Sequence, residues 1–225
     1  PPHRQGGSGA AIIVAPDPPH PPSMQRRLVL LALAASPAMS HAVEEPDYTV
    51  ERTLDADNAI ELRRYAGYAV AEVTVPGPAD SAGNTAVPIL AGYIFGGNRG
   101  ARQLAMTAPV TQAPQKLAMT APVTQTAAGD NHVVQFVLPK GVTAETAPVP
   151  NDARVRLRDV PPRRLVAVRF SGFWNEANYA EHLAKLTAAM RTAGLQAAGD
   201  PVLSRYNPPI TPWFLRRNEI WIDLA

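Results

Sequence analysis

Residues 60–77 (IELRRYAGYAVAEVTVPG) lie over residues 155–172 (VRLRDVPPRRLVAVRFSG) without a gap, at a constant offset of 95. Ile60 meets Val155, Leu62 meets Leu157 and Arg63 meets Arg158; Val70 meets Leu165, Val73 meets Val168, Val75 meets Phe170 and Gly77 meets Gly172. Apolar residues alternate in each block, the period of a strand with one buried face. Each block therefore predicts a strand, a turn and a longer strand. A pattern written twice predicts two like units, and neither can bury an apolar face without the other.

A helix is expected after each block. In the first half it spans about 85–95, capped by Asn84 or Thr85, with Pro88 in its first turn and Gly96-Gly97-Asn98 as its stop. In the second it spans about 178–193, where Asn178 and Glu181 resemble a capping box and Gly194 ends the run. Tyr179, Leu183, Leu186 and Met190 recur at helical spacing and should face the sheet. Strands follow each helix, at 132–138 in the first half and at 202–206 and 219–224 in the second. The expected fold is α+β: a distorted antiparallel β-barrel built from two pseudo-twofold βαββ units with two flanking helices.

A shorter repeat lies inside the first half. LAMTAPVTQ occurs at 104–112 and again at 117–125. Thr and Val favour extended backbone, whereas Pro109 and Pro122 cannot donate to a ladder. The copies read as two edge-like strands joined by residues 113–116.

The N-terminal region does not belong to this pattern. Residues 1–23 are rich in Pro and Gly and have no period, so they read as a non-native or upstream segment. From Met24, a basic pair (Arg26, Arg27), an eight-residue apolar run at 28–35 and Ser40-His41-Ala42 match a signal peptide of 24–42, cleaved near Ala42. The apolar run is too short to span a bilayer. A periplasmic or secreted product is expected, with residues 43–225 as a single domain. Of the 21 basic and 19 acidic residues, residues 1–42 hold Arg4, Arg26, Arg27 and Asp17, so the remainder balances at 18 and 18. A neutral domain has no general electrostatic case for nucleic acid or an anionic membrane surface. The chain has no cysteine, which removes disulfides, thiolate chemistry and a lipid anchor on cysteine.

Catalytic patterns are scarce. No HExxH, GxSxG or P-loop is written, and Ser171 lacks an elbow context. Glu61 and Glu72 are candidate bases if buried, although the alternation around them points both outward. His132 and His182 read as half-exposed structural histidines, and Met106 and Met119 as core filling.

IELRRY (60–65), AGYIFGGN (91–98), MTAPVT (106–111 and 119–124), RYNPP (205–209) and LRRNEIWI (215–222), in this order, resemble the SOUL family of haem-binding proteins over residues 44–224. The resemblance implies the same barrel of two βαββ units. It also implies a shallow apolar cleft for haem or another porphyrin between the first helix and the loop before the last strand. Carried onto this sequence, the helix supplies Val87, Leu90, Tyr93 and Ile94, and the loop at 208–217 supplies Ile210, Trp213 and Phe214. Arg99, Arg102, Arg216 and Arg217 are candidate partners of propionates, since a guanidinium pairs with a carboxylate through two parallel bonds. Arg216 and Arg217 also have Glu219 and Asp223 within reach. Some animal members carry a histidine immediately before the tyrosine of the first motif; Arg64 stands there, so no metal ligand is assigned.

Non-catalytic tetrapyrrole binding by a monomer is the expected function. A small-molecule hydrolase or tetrapyrrole-modifying enzyme using the groove between the halves is the second reading. The third is an interaction module whose groove is filled by its own side chains, with Trp213 buried against the first helix.

Overall fold

The computed structural model describes residues 43–100 and 115–225. Its long strands are β1 (Tyr48–Asp55), β2 (Ile60–Tyr65), β3 (Tyr68–Pro76), β5 (Val123–Ala128), β6 (Asn131–Val137), β8 (Arg156–Val160), β9 (Arg163–Phe170), β10 (Val202–Arg205) and β11 (Asn218–Asp223). A two-residue pair, β4 (Asn98–Arg99) and β7 (Val149–Pro150), stands apart. The helices are α1 (Ala79–Ile94) and α2 (Glu176–Thr192).

The nine long strands form one sheet in the order β1-β2-β9-β11-β10-β5-β6-β3-β8, antiparallel throughout. It curls into a half-barrel whose edges, β1 and β8, do not pair with each other. The distorted antiparallel barrel expected from the sequence is thus a half-barrel, with the two flanking helices as expected.

Strand alternation divides the side chains between the two faces. On the convex face, Ile60, Leu62, Val166, Val168, Ile220 and Ile222 pack under Leu186 and Met190 of α2. Ala71, Val73, Val75, Val134 and Phe136 pack under Ala82, Ala86, Leu90, Tyr93 and Ile94 of α1. The concave face holds a smaller cluster of Tyr65, Leu165, Ala167, Val202 and Trp221.

Several local expectations are revised. Helix α1 begins at Ala79, six residues before the expected start, so Pro88 sits in its interior rather than its first turn. Its early buried residues are small (Ala82, Gly83, Ala86), and small residues give a weak apolar signal. Helix α2 is capped by Asn175, whose side chain accepts from the Asn178 backbone amide at 2.9 Å. Asn178 is inside the helix, where its side-chain amide donates to the carbonyls of Ser171 (3.1 Å) and Phe173 (3.0 Å). Of the LAMTAPVTQ copies, the first lies outside the described residues, as does Met106. In the second, only its end forms β5, which is a central strand between β10 and β6. Pro122 immediately precedes that strand, so no ladder bond is lost. Met119 is half-exposed and fills no core.

Candidate functional site

Leu90, Tyr93 and Ile94 do not line a surface. They are fully buried against β3 and β6, and the Tyr93 hydroxyl donates to the Pro148 carbonyl at 2.9 Å. Burial raises that phenol to about 12. Helical spacing marks a buried stripe but does not tell core from ligand. Val87, on the other side of the helix, is exposed. Arg99 is exposed in β4 opposite Val149, and Arg102 lies outside the described residues.

The 208–217 loop is the reverse case. Ile210, Trp213 and Phe214 are 91%, 48% and 57% exposed, and Leu215 and nearby Phe173 are also open. Phe173 and Trp213 stack with ring centroids 5.2 Å apart, and Phe214 meets Trp213 edge-on at 5.5 Å. The exposure of Trp213 contradicts the reading in which it is buried against α1. Yet the loop is firmly tied. Arg216 donates through Nε to the Thr211 carbonyl and through Nη2 to the Pro209 carbonyl, both at 2.8 Å. The Arg217 amide donates to Asn207 Oδ1, and Gly172 donates to the Trp213 carbonyl. Trp213–Leu215 close a turn of 3-10 helix. The aromatic side chains are therefore presented by a fixed backbone.

Arg217 belongs elsewhere. Its guanidinium pairs with Glu45 (2.9 Å) and Glu219 (2.9 Å) and lies 3.7 Å from the Tyr206 ring centroid. It is not available to a propionate. Glu219, fully buried on the concave face, also accepts from Arg63 (2.8 Å), the Tyr206 hydroxyl (2.9 Å) and Trp221 Nε1 (2.7 Å). Burial opposes ionisation of Glu219, but the charges of Arg63 and Arg217 outweigh it and hold the carboxyl below its usual range. Burial likewise pushes the Tyr65 and Tyr206 phenols up.

Glu61 and Glu72 face this groove rather than outward. Glu61 pairs with Arg63 at 2.8 Å; Glu72 pairs with Arg158 at 3.1 Å and accepts from Gln135. Both carboxylates are thus engaged by arginine side chains of the sheet. One end of the groove opens into a hollow of about 390 Å³ lined by Glu72, Gln135, Arg158, Arg163 and Asp223.

The residue that sequence reasoning passed over is Arg205, at the end of β10 on the convex side. Its guanidinium lies 4.7 Å from the Trp174 ring centroid, and that of Arg216 lies 4.4 Å from the same ring. Trp174 is held by a 2.7 Å bond from Nε1 to Asn218 Oδ1. Across from Trp174, Arg205 reaches α1: a Cβ added at Gly83 would lie 3.2 Å from Arg205 Nη1. Gly83 is thus the gap through which β10 and α1 approach. The only sequence signal was the position of Arg205 inside RYNPP.

Among the described residues, each histidine is engaged through Nδ1. Nδ1 of His132 lies 3.0 Å from the Gly77 carbonyl; that of His182 lies 2.8 Å from the Asn178 carbonyl, with its ring stacked on Phe170. Arg64 is exposed and paired with Glu51.

The family model described as SOUL heme-binding protein matches residues 43–223. The chain belongs to the SOUL family. Among curated relatives, Heme-binding protein 1 of Xenopus tropicalis is 30% identical over 166 residues, covering 72% of this chain and 82% of that protein. The Mus musculus protein of the same name is 28% identical over 161 residues, covering 70% and 79%. Solved structures share the fold at lower identity. The EcmrR C-terminal domain aligns with a TM-score of 0.51 at 12% identity, covering 74% of this chain and 96% of that one. A structure described as a hydrolase from Listeria innocua aligns at 0.53 and 16% identity, covering 75% and 92%. These two establish the α+β half-barrel and nothing about chemistry. The SOUL family membership supports haem as a ligand, and the residues present suit the face of a macrocycle better than its iron: stacked aromatic rings and guanidinium groups stand at the surface.

Proposed function

We propose that this SOUL protein binds haem or a related tetrapyrrole on the aromatic surface of the 208–217 loop beside α1, without turning it over. One observation carries the reading. Ile210, Trp213, Phe214 and Leu215 stand exposed on a tied loop, with Phe173 stacked against Trp213. A soluble domain rarely leaves so much contiguous apolar surface open without a use. A flat macrocycle is well matched to it, because stacked and edge-on aromatic contacts add about 0.5–1.5 kcal/mol each beyond area burial. Val87, the exposed one of the four α1 residues, joins the ligand site in this reading. Leu90, Tyr93 and Ile94 serve by fixing α1 against the sheet. The ion pairs on Glu61 and Glu72 favour binding over turnover.

Hemin titration of residues 43–225 tests this. The Soret band should shift saturably near one equivalent, and a Trp213→Ala/Phe214→Ala double variant should bind about tenfold or more weakly at unchanged melting temperature. A double variant that binds like the parent removes the loop from the site.

Three broader readings accompany it. The halves are related by a pseudo-twofold axis: exchange β2, β3, β5 and β6 with β8, β9, β10 and β11, and the order β2-β9-β11-β10-β5-β6-β3-β8 reads the same from its other end. Superposing 60–77 on 155–172 tests the relation. Residues 24–42 direct export and are removed, leaving 43–225 as one domain. That domain works as a monomer with a tetrapyrrole partner, apart from nucleic acid and without a membrane anchor; its mass in solution tests the monomer.

A further inference from the structure

LAMTAPVTQ is written twice, but the sheet has one place for it. The copy at 117–125 is built into the core: the Leu117 amide donates to the Ile94 carbonyl at 2.9 Å, and the Leu117 side chain is buried. The Thr120 hydroxyl donates to the Val137 carbonyl, and the Ala121 amide donates to the Glu44 carbonyl at 2.8 Å. The Thr124 hydroxyl donates to Gln135 Oε1 at 3.0 Å, and Gln125 Nε2 donates to the Ala79 carbonyl at 2.7 Å. Between residues 115 and 128 every buried side chain (Leu117, Ala121, Pro122, Thr124, Gln125) falls inside the repeated stretch. Gln115, Lys116, Ala127 and Ala128, which lie outside it, are exposed, and Thr126 is half-buried.

Leu104, Thr107, Ala108, Thr111 and Gln112 repeat the bonding and buried side chains in the same order at 104–112, a segment outside the described residues. Strand register is normally pinned because a slip carries apolar residues to the wrong face. A shift of thirteen residues changes no side chain over the nine repeated positions, so that penalty vanishes here. The anchor before the strand is equally indifferent. Asn98 holds the chain at Gln115 through backbone groups alone, accepting from its amide at 2.9 Å and donating to its carbonyl at 2.8 Å. After the shift Arg102 stands at that position, four residues from Asn98, and offers the same two groups. The cost falls at the end of the strand. Ala113-Pro114-Gln115 replace Thr126-Ala127-Ala128, and Pro114 has no N–H to give at the position of Ala127, opposite His132. The turn between β5 and β6 lengthens by thirteen residues, and the connection before β5 shortens by as many. Loop entropy changes only slowly with length.

We propose that the two copies exchange at β5: a major arrangement holds 117–125 in the sheet, and a minor one holds 104–112 in its place. Conformers separated by local costs of this kind are populated at about 0.1–10%. The exchange is a switch of loop position. It carries thirteen residues from the connection that follows α1 to the other end of the strand, where Thr126 and Ala127 line the hollow of about 390 Å³. No residue of either copy belongs to the 208–217 loop, so the exchange is tested separately from tetrapyrrole binding.

The experiment is urea denaturation of the 43–225 protein carrying Thr111→Pro, Thr124→Pro or both. A proline inside a central strand removes a ladder bond and disrupts the pairing. Thr111→Pro should leave the midpoint unchanged. Thr124→Pro should lower it moderately, because the first copy takes over the strand. The double variant, with no intact copy left, should lose about 1 M urea more than the two single losses added together. Additive losses overturn the proposal, as does a Thr124→Pro chain that does not fold. A second measurement reads the register directly. Thr111→Cys/Gln135→Cys in the Thr124→Pro background introduces the only two cysteines of the chain, and Gln135 is the cross-strand partner of position 124. Mild oxidation should link positions 111 and 135 in most molecules, read by peptide mass, with the urea midpoint kept or raised. A missing crosslink overturns the exchange even where the losses are not additive.

Discussion

Glu219 shows how much one side chain decides here. A buried carboxylate would be a liability in an all-apolar groove, but this one has Arg63, Arg217, Tyr206 and Trp221 as donors. The sequence placed Glu219 within reach of Arg217, because they are two residues apart on one strand face. It could not place Arg63, 156 residues away, on the same carboxylate. The matched positions of Arg63 and Arg158 also part at this scale: Arg63 is enclosed, whereas Arg158 stands half-exposed on edge strand β8. Glu219→Gln should cost about 3–5 kcal/mol at neutral pH, because two buried guanidinium groups lose their counter-charge. The sign of the pH dependence follows from the depressed folded pKa: the stabilisation is present above the unfolded carboxylate value and is lost as pH falls through the folded one. Urea melts at a series of pH values should show an acid-side decline in the parent that is shallower in Glu219→Gln. Parallel curves would mean that Glu219 does not carry it.

Among the elements, those with strong alternation were read from sequence nearly to the residue. The 132–138 and 219–224 strands correspond to β6 and β11, with Val134, Phe136, Ile220 and Ile222 in the core. The helices were placed correctly but started wrongly, for different reasons. The first turns of α1 bury only small residues. In α2, two asparagines three residues apart compete for the cap, and the choice depends on whether Ser171 and Phe173 offer carbonyls to Asn178. Asn175→Ala should therefore destabilise the fold by about 1 kcal/mol, the usual cost of a lost N-cap. Chemical denaturation measures it; Asn175→Asp, which keeps the acceptor, should stay near the parent. A loss of the same size in Asn175→Asp would argue against capping.

At the level of the whole molecule, the half-barrel separates two environments that alternation alone leaves unnamed. Its convex side carries both helices and the exposed aromatic loop; its concave side carries the charged and aromatic groove. The export reading belongs at this scale as well. Expression of the entire chain in a bacterium with a secretory pathway should yield a periplasmic product with Val43 at its N-terminus, read by intact mass. Retention of residues 24–42 on the purified product would sink that reading.

By itself the sequence determined the strand-rich pattern, the offset of 95 and the family, because apolar period and motif order are properties of the chain read along its length. Through the family resemblance it also nominated the 208–217 loop. Only the tertiary structure decided that Leu90, Tyr93 and Ile94 are core, that Arg217 is consumed by Glu45 and Glu219, and that Arg205 is left facing Arg216 across Trp174. The reason is physical. Whether a side chain meets solvent, a sheet or a counter-charge depends on neighbours brought close by the curl of the sheet, and those neighbours lie far away along the chain.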